Sequence, residues 1–376
     1  MQIGPVALPG DAGAHELDLA AGRIAAIRPV NSEAERLVLP AYTDPHLHAD
    51  RAFASGPRPP RSLGDAVELV SEVKRASTED AVRERALRLF GRALAHGTLR
   101  VRTHVDVDEL VEERALRGVL AAREELAGRL DVEIAAFATK LCDPTTEQGR
   151  RRLTAAVEAG AELVGAVPAF HPDPEASIAA VLGLARDIGV PADLHVDETT
   201  DPAALRLERL ADETLALGLE GRVTASHCCS LASVPEAAAR RTIEKVAAAG
   251  ITIVALPALN LYLQGRGDGT PRARGLPLVR ELHEARIPIR LGSDNVRDVF
   301  YPYGDADPLE SAFLAAIAAH VDDEELLLAA VCDGRTRLEV GDRADLVVLD
   351  ADSLREAIAR RPPARTVIRG GMEISP

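Results

Sequence analysis

The stretch Leu37–His48 reads LVLPAYTDPHLH and joins an apolar, strand-like run to a pair of histidines at its end. Seven more apolar runs rich in β-branched residues follow along the chain, each bounded by turn residues. They are Leu99–Val107, Val132–Lys140, Leu163–Phe170, Ala192–Glu198, Val223–Cys228, Ile251–Asn260 and Ile287–Asn295. Several are almost continuously apolar, which is typical of strands that are buried on both faces.

Helical patterns separate these runs, and several of them stop at a glycine just before the next run. Gly97, Gly160 and Gly250 hold such positions, where a glycine can adopt the left-handed conformation that ends a helix. Eight strand–helix units in succession predict an α/β fold, a (β/α)8 TIM barrel.

The two ends of the chain do not follow this alternation. They carry the β-like pieces His15–Ile27, Leu338–Asp350 and Arg365–Ile374, with glycines at the turns. We therefore predict a small β-sandwich domain formed by residues 1–38 and 336–376, beside a barrel formed by residues 39–335.

Composition excludes several classes of partner. The 376 residues contain 44 Lys and Arg against 59 Asp and Glu, a net charge of −15, which argues against binding of nucleic acid or of an anionic membrane surface. No apolar run is long enough to span a bilayer, and the first ten residues do not resemble a cleaved signal. The four cysteines form no CxxC pair, which indicates reduced thiols in a cytoplasmic protein. The sequence leaves the oligomeric state open, with a homo-oligomer as one alternative.

The histidine pair at the end of the first run is the first candidate site. His46 and His48 are two residues apart, so on a strand their side chains point to the same side. Two converging imidazoles are good ligands for zinc or ferrous iron. Taken alone, the pair is equally compatible with two unrelated polar residues at a strand end.

Three more polar residues close later strands of the predicted barrel. His195 closes the fifth, His227 the sixth and Asp294 the eighth. Catalytic residues of TIM barrels lie at the carboxyl ends of the strands, where the connecting loops gather. We therefore expect these side chains to meet the histidine pair at one mouth of the barrel.

In this order of histidines and aspartate the chain resembles the metal-dependent amidohydrolase superfamily, and within it the cytosine deaminase branch. The matching stretches are Pro45–Asp50, Arg102–Asp106, Gly165–Pro168, His195–Glu198, Val223–His227, Leu263–Arg266, Ser293–Pro302 and Gly341–Leu349. They span nearly the whole chain, and they are specific for the superfamily but not for a substrate.

The resemblance implies one divalent metal ion, zinc or iron, bound by four residues. These are His46, His48, His195 and Asp294. It also implies that Glu198 transfers protons and that His227 orients the attacking water. A divalent ion lowers the pKa of its water to about 7, and Asp294 can accept the proton that is released. The metal-activated hydroxide adds to an amidine-like carbon, and ammonia leaves after a second proton transfer.

The end of the fourth strand indicates how many metal ions the site binds. Relatives with two ions usually supply a carboxylated lysine there, whereas this chain has Pro168–His171 at that position. Lys140 ends the third strand instead, which is the wrong place for such a bridge. We therefore expect one ion, and the predicted function is hydrolytic deamination of a small, cytosine-like N-heterocycle.

Departures from the cytosine deaminase pattern concern the substrate. In cytosine deaminase a glutamine of the third strand hydrogen-bonds to the pyrimidine edge, whereas this chain has no glutamine in the corresponding stretch Phe137–Lys140. Phe300 replaces the family's tryptophan after the eighth strand, and Ala169 replaces a histidine of the fourth strand. Cytosine itself is therefore in doubt, because a pocket that loses a hydrogen-bonding partner rejects the old substrate strongly. The residues expected to contact substrate are Thr139, Lys140, Asn295, Phe300 and Gln264. Lys140 is equally well explained as a structural ion-pair partner.

Two alternatives to deamination stay open at this point. One is hydrolysis of a different C–N bond, either by opening a ring amide or by releasing an alkylamine, as in N-isopropylammelide hydrolases. The other is a non-catalytic scaffold on the same fold, which is disfavoured because the residues of the implied site are all present. His104 and Asp106 share one face of the second strand, where a barrel-filling role is as well supported as a substrate contact. Cys228 and Cys229 are expected to pack as small apolar residues.

Overall fold

The structure is a computed structural model that describes residues 1–56, 58–266, 270 and 273–375. Its strands are β1 (Gln2–Val6), β2 (Ala14–Ala20), β3 (Arg23–Val30), β4 (Leu37–Pro40), β5 (Tyr42–Leu47), β6 (Thr98–Val107), β7 (Asp131–Ala138), β8 (Leu163–Ala166), β9 (Ala192–Val196), β10 (Val223–His227), β11 (Thr252–Ala255), β12 (Ile289–Leu291), β13 (Leu346–Leu349), β14 (Arg365–Arg369) and β15 (Met372–Ile374). Its helices are α1 (Leu63–Ala76), α2 (Glu79–Ala95), α3 (Arg114–Glu125), α4 (Glu147–Glu158), α5 (Pro174–Ile188), α6 (Leu207–Leu217), α7 (Glu236–Ala248), α8 (Pro257–Leu263), α9 (Val279–Glu284), α10 (Pro308–Ala318), α11 (Glu324–Val331) and α12 (Leu354–Arg360).

The strands β5 to β12 form one sheet of eight parallel strands in chain order, with helices between them. The sheet curls until its first and last strands meet. Leu47 and Asp294 form a parallel bridge there, and the backbone N–H of Asp294 donates to the carbonyl of His46 at 2.8 Å. The prediction of a TIM barrel is confirmed.

Two antiparallel sheets from the chain ends lie beside the barrel. One contains β1, β2 and β3, and the other contains β4, β13, β14 and β15. Apolar side chains from both sheets share one core, whose members are Ile3, Val6, Leu8, Leu17, Leu19, Ile24, Val38, Leu338, Ala344, Leu346, Val348 and Ile368. Both ends of the chain thus contribute strands to a common core, as a sandwich requires. The division of the chain at residues 38 and 336 stays a prediction.

The run Leu37–His48 is not one strand, as the sequence suggested, but two. Leu37–Pro40 pairs with Leu346–Leu349 in the terminal sheet, whereas Tyr42–Leu47 begins the barrel. At the residue between them, the Ala41 N–H donates to the carbonyl of Asp345. A continuous apolar pattern cannot reveal such a change of partner, because both halves are buried.

Three other predicted strands end at least four residues earlier in the structure. The fourth stops at Ala166 and the seventh at Ala255, and the eighth spans only Ile289–Leu291. Pro168 and Pro257 explain the first two corrections, since each starts a helical turn directly after the strand. Proline has no N–H for the next rung of a sheet, and its fixed φ suits the first turn of a helix.

Helix α1 lies over the mouth of the barrel. With α8 and the loop after β12 it forms a separate apolar cluster, whose members are Ala66, Leu69, Val70, Ala258, Leu259, Leu263, Val299, Phe300 and Tyr301. In the described part of the chain, no helix has both the length and the apolar character needed to cross a membrane.

We predict that Gly165→Ala destabilises the barrel. A Cβ at Gly165 would lie 2.3 Å from the backbone oxygen of Asp193 on the neighbouring strand. We expect the free energy of unfolding to fall by about 1–3 kcal/mol, as for other forced overpacking. Urea-induced unfolding followed by circular dichroism measures it. The matched control is Gly183→Ala, which lies within helix α5 with nothing within 4 Å of its new Cβ, and which should raise stability by up to about 1 kcal/mol. Equal stabilities for the two variants would contradict the prediction.

Candidate active site

Three buried histidines and one buried aspartate converge at the carboxyl ends of the barrel strands. The Nε2 atom of His195 lies 3.1 Å from that of His46 and 3.2 Å from that of His48. Asp294 Oδ1 lies 3.3 Å from His48 Nε2 and 3.7 Å from His46 Nε2. We call these four side chains the donor cluster. The structure therefore brings together the four residues that the sequence singled out as metal ligands.

The protonation state of His46 follows from its hydrogen bonds. Its Nδ1 atom lies 2.9 Å from Ser226 Oγ, and that hydroxyl donates to Asp193 Oδ1 at 3.3 Å. The serine oxygen is thus free to accept, so the ring proton of His46 is on Nδ1. Arg102 donates to the other oxygen of Asp193 at 2.8 Å and so fixes that carboxylate. The Nε2 lone pair of His46 is therefore directed into the donor cluster.

Asp294 is held in place by its backbone and leaves its carboxylate free. Its φ of 61° is in the left-handed region, and its N–H bonds to β5. Neither carboxylate oxygen has a hydrogen-bond partner among the described residues. Burial, followed by the nearby Glu198 carboxylate, raises the pKa of Asp294 well above its usual value. A carboxylate in such a place is stable only beside a cation.

The donor cluster fits one divalent ion by its chemistry and its spacing. Imidazole nitrogens and a carboxylate oxygen are ligands of zinc and iron. Donor atoms bound tetrahedrally about 2.1 Å from an ion are about 3.4 Å apart, close to the separations found here. Burial and the neighbouring imidazoles and Arg51 lower the pKa values of His46, His48 and His195 well below the ordinary value, so all three rings are neutral.

Asp44 fixes the two ends of this cluster to each other. Its Oδ1 atom accepts from the backbone N–H of His46 and from that of Ser293, both at 3.2 Å. One buried side chain thus joins the end of the first barrel strand to the loop after the last one.

Glu198 and His227 lie against the donor cluster. His227 Nε2 is 3.8 Å from Glu198 Oε2 and 3.9 Å from Asp294 Oδ2. The amide nitrogen of Asn260 donates to His227 Nδ1 at 3.1 Å, so the ring proton is on Nε2 and faces both carboxylates. Burial lowers the pKa of His227 to about 3 and raises the pKa of Glu198 to about 8. Burial thus favours the neutral form of both side chains.

The backbone around Glu198 is held on both sides. Asp197, whose φ is 56°, accepts hydrogen bonds from the N–H groups of Arg206 and Leu207 through its two carboxylate oxygens. The Gln264 amide donates to the carbonyl of Glu198 at 3.1 Å. These contacts fix the position of the glutamate relative to the donor cluster.

A cavity of about 440 Å³ opens above the donor cluster, and His195 and Glu198 are part of its lining. We call it the main cavity. Helix α1 covers it and contributes Leu63, Val67 and Lys74 to its wall.

A buried ionic network forms one side of the main cavity. Lys74 Nζ contacts Asp106 at 2.6 Å and Asp108 at 2.7 Å, and Arg51 donates to Asp106 at 2.7 Å. Both cations are less than one-tenth exposed. Asp106, which the sequence left between a structural role and a substrate contact, is therefore an ion-pair partner that also lines the cavity.

The expected substrate contacts divide into two groups. Thr139, Lys140 and Phe300 line the main cavity, and the ring of Phe300 lies 5.1 Å from the Arg51 guanidinium. Asn295 and Gln264 do not line it. Asn295 is buried and donates to Asp298, whereas Gln264 contacts the Glu198 backbone, so the structure gives both of them structural partners.

Two of these wall residues have structural partners as well. Lys140 is about half exposed and pairs with Glu68 of α1 at 2.8 Å, which agrees with the ion-pair interpretation. The Thr139 hydroxyl donates to Asp108 at 2.7 Å.

His104, Cys228 and Cys229 lie beneath or beside the site without facing the main cavity. The ring of His104 stacks on that of His46 with centroids 4.1 Å apart, and its Nε2 is 3.3 Å from Asp193. Burial raises the pKa of both cysteine thiols well above the usual value, which leaves them protonated and unreactive. The expected packing role of the cysteines agrees with this environment.

Several functional residues were missed by the sequence analysis. Three of them orient histidines through hydrogen bonds on the side away from the donor cluster, namely Ser226, Asp193 and Asn260. Two others, Arg51 and Lys74, form the ionic wall of the main cavity. Asp193 lies two residues before His195, so alternation along the strand could have placed it on the same face. Ser226 directly precedes His227, and alternation predicts opposite faces for these two residues, so it could not reveal the contact of Ser226 with His46. Lys74 had no such signal, because its position over the barrel depends on how α1 packs.

Comparison with known proteins places these observations in a family. The model of the amidohydrolase family matches residues 63–374. The pterin deaminase of Rhizobium rhizogenes is 36% identical over 353 residues, which cover 90% of this chain and 80% of that protein. N-isopropylammelide isopropyl amidohydrolase of Pseudomonas sp. is 29% identical over 358 residues, covering 89% and 85%.

A solved structure agrees with the same assignment. The 5-methylcytosine deaminase of Klebsiella pneumoniae, crystallised with 5-fluorocytosine, superposes with a TM-score of 0.90 at 31% identity. The match covers 100% of this chain and 97% of that one. The chain therefore belongs to the amidohydrolase family, in its cytosine deaminase-like branch.

Proposed function

We propose that this protein removes an amino group from a small N-heterocycle by hydrolysis. The observation that carries the proposal is the donor cluster on the floor of the main cavity, with Glu198 and His227 directly beside it. Its relatives act on C–N bonds of heterocycles, so the predicted enzyme class, a hydrolase of such bonds, is confirmed.

We propose that His46, His48, His195 and Asp294 hold one divalent ion, zinc or iron. When bound, such an ion acidifies a water molecule and polarises the carbon that the water attacks. A single ion is supported by the fourth strand, where the segment Pro168–His171 offers no lysine and His171 is bonded to Ser177 and to the Thr139 carbonyl.

The roles of the side chains follow from their protonation states. Asp294 has a free oxygen that faces His227 and accepts the proton of the attacking water. The Nε2–H of His227 orients that water. Glu198, whose pKa burial raises, gives its proton to a ring nitrogen. It then takes up the hydroxyl proton of the hydrated ring carbon as the carbonyl forms and passes this proton to the leaving amino group, and the proton held by Asp294 afterwards restores Glu198.

The walls of the main cavity favour a ring that carries a carbonyl group. Phe300 supplies an apolar face, and the buried guanidinium of Arg51 lies beside it as a donor. Phe137 contributes to the wall at the third strand. We propose a pterin-like or pyrimidine-like ring with an exocyclic amino group, of which the pterin type is favoured by the more similar relative. We also propose a cytoplasmic location, in keeping with four free, buried cysteines.

The class of reaction is tested with a panel of pterin, cytosine, isocytosine and creatinine, following ammonia release and product mass. We expect ammonia from at least one ring and none from the Asp294→Ala variant. An enzyme that holds a full equivalent of metal and releases ammonia from no ring in the panel would contradict deamination. A preparation without stoichiometric metal and without activity after reconstitution would instead support the non-catalytic scaffold.

We predict that Glu198→Gln lowers kcat about 10²- to 10⁴-fold, because the amide cannot transfer the proton. The metal content should not change, since Glu198 is not a member of the donor cluster. Steady-state kinetics and elemental analysis of the same preparation measure both. Gln264→Ala serves as the comparison variant, because it removes a backbone contact of Glu198 and leaves the carboxyl group in place. A kcat for Glu198→Gln close to that of the unaltered enzyme would exclude proton transfer by this residue.

We predict that Ser226→Ala and Asp193→Asn weaken metal binding about 10- to 100-fold, since both release the ring of His46. The measurement is the rise in melting temperature as zinc is added to the metal-free protein, which reports affinity without any need for activity. Ser233→Ala changes a serine outside the donor cluster and is the control. If both variants bind zinc as tightly as the control does, the proposed orientation of His46 is wrong.

A further inference from the structure

The barrel interior carries a strip of polar side chains that runs from its lower end to the donor cluster. Strand β6 has four polar residues at alternate positions, and alternate residues of a strand share one face. They are Arg100, Arg102, His104 and Asp106. The inner layers of TIM barrels consist mainly of branched apolar side chains, so filling the barrel does not require such a strip. Buried charges need partners, and the partners of this strip show what it serves.

A cavity of about 390 Å³ opens at the amino ends of the barrel strands, opposite the main cavity. We call it the lower cavity. Arg100 and Arg102 both line it. Arg100 is exposed and pairs with Asp333 at 3.5 Å, whereas Arg102 reaches inward to the carboxylate of Asp193 at 2.8 Å. Of the two arginines, Arg102 is therefore the one that contacts the barrel interior.

The guanidinium of Arg102 is held in one orientation by three partners. Its Nε donates to Glu133 at 2.7 Å, and the Nη1 that contacts Asp193 also donates to the Thr224 hydroxyl at 3.2 Å. Asp193 is fully buried. A buried carboxylate is strongly destabilised when its cationic partner is removed, so Arg102 determines how Asp193 is placed.

From Arg102 the hydrogen bonds run in a fixed direction to the donor cluster. Asp193 accepts from Arg102 on Oδ2 and from the Ser226 hydroxyl on Oδ1. A hydroxyl that donates its proton to a carboxylate offers its lone pairs to another donor, and His46 Nδ1 lies 2.9 Å from Ser226 Oγ. The ring proton of His46 is thereby kept on Nδ1, and Nε2 keeps the lone pair that a metal ion needs.

We propose that Arg102, at the opposite end of the barrel from the substrate, is a positioning residue for the metal site. Its guanidinium holds the Asp193 carboxylate in the orientation that accepts from Ser226, and this fixes the tautomer of His46. The inference rests on the proposed metal site, since His46 is one of its ligands. Arg102 lines the lower cavity and not the main one, so it acts on the reaction only through these contacts.

Loss of the guanidinium would release the whole series of contacts. Asp193 Oδ2 loses the donor that holds it, and the carboxylate is free to turn away from Ser226. The Ser226 hydroxyl then donates to His46 Nδ1, which favours the ring proton on Nε2, where it occupies the lone pair that binds metal. A mixture of the two tautomers lowers the apparent metal affinity by the fraction that is competent, so a competent fraction of about one-tenth costs about tenfold.

The test uses three variants of Arg102 and one matched control. Arg102→Met and Arg102→Gln remove the charge, and Arg102→Lys keeps a charged donor. Arg100→Met is the control, because Arg100 lies two residues earlier on the same strand and lines the same cavity but pairs with Asp333. Melting temperatures show which variants fold. Arg102→Gln, which retains a polar group, carries the test if Arg102→Met does not fold.

The first measurement is the affinity of each metal-free protein for zinc, by titration calorimetry. We expect Arg102→Met to bind zinc about 10- to 100-fold more weakly than the unaltered protein, as for other residues that orient a ligand. Arg102→Lys should lose less, and Arg100→Met should lose nothing. In a Ser226→Ala background Arg102→Met should cause no further loss, because its effect runs through that hydroxyl.

The second measurement is the tautomer of His46 in the metal-free protein. Nitrogen-15 NMR of protein with labelled histidine separates protonated from unprotonated ring nitrogens, and the signals missing in His46→Asn identify those of His46. We expect the proton on Nδ1 in the unaltered protein and in Arg100→Met. In Arg102→Met we expect it partly or wholly on Nε2. A role of Arg102 in stability alone would leave the tautomer unchanged.

Failure of this inference is distinguishable from failure of the proposed function. The inference is wrong if His46 has the same tautomer in the uncharged Arg102 variants as in the unaltered protein. It is equally wrong if these variants bind zinc as tightly as Arg100→Met, or if the loss is as large in the Ser226→Ala background as without it. If the unaltered protein binds neither zinc nor ferrous iron, the proposed metal site is wrong, and the tautomer still decides the role of Arg102 because it is measured without metal.

Discussion

The contact on which the site depends is the hydrogen bond from the Asp294 N–H to the His46 carbonyl, where the first and last barrel strands meet. It closes the sheet at the point where His46 and Asp294 enter the donor cluster. Asp44 strengthens the junction by accepting from His46 in the first strand and from Ser293 in the loop after the last strand. The geometry of the donor cluster is therefore as rigid as the barrel itself, which is what a preorganised site requires.

At this junction, imidazole nitrogens and a carboxylate lie close together in the protein interior, an arrangement that is normally unfavourable. The Nε2 atoms of His46 and His48 lie 3.1 and 3.2 Å from that of His195, and the Asp294 carboxylate is buried with no hydrogen-bond partner among the described residues. Left alone, such an arrangement costs free energy through desolvation and repulsion. A divalent ion would offset both costs, so we expect its binding to stabilise the folded protein.

The sequence predicted the parts of the site that depend on strand alternation and order along the chain. His46, His48, His195, His227 and Asp294 follow from their positions at strand ends, and the eight apolar runs predicted the barrel. It could not predict that Leu37–His48 changes partner between two sheets, because burial gives both halves one pattern. The sequence also could not predict that Lys74 forms part of the cavity wall, because no local sequence pattern determines where a helix packs over the mouth of a barrel.

The hydrogen bonds that orient the histidines show why the contacts between residues were harder to predict than the positions of residues along the strands. Ser226 and His46 are 180 residues apart, and their hydrogen bond exists only because the barrel brings two non-neighbouring strands to one centre. Closure of the barrel also determines the shape of the cavities above the donor cluster. Pro168 ends the fourth strand early and turns the chain into a short helix, and this turn forms a wall of the apolar space next to Glu198. The point at which the fourth strand stops therefore shapes the space beside Glu198.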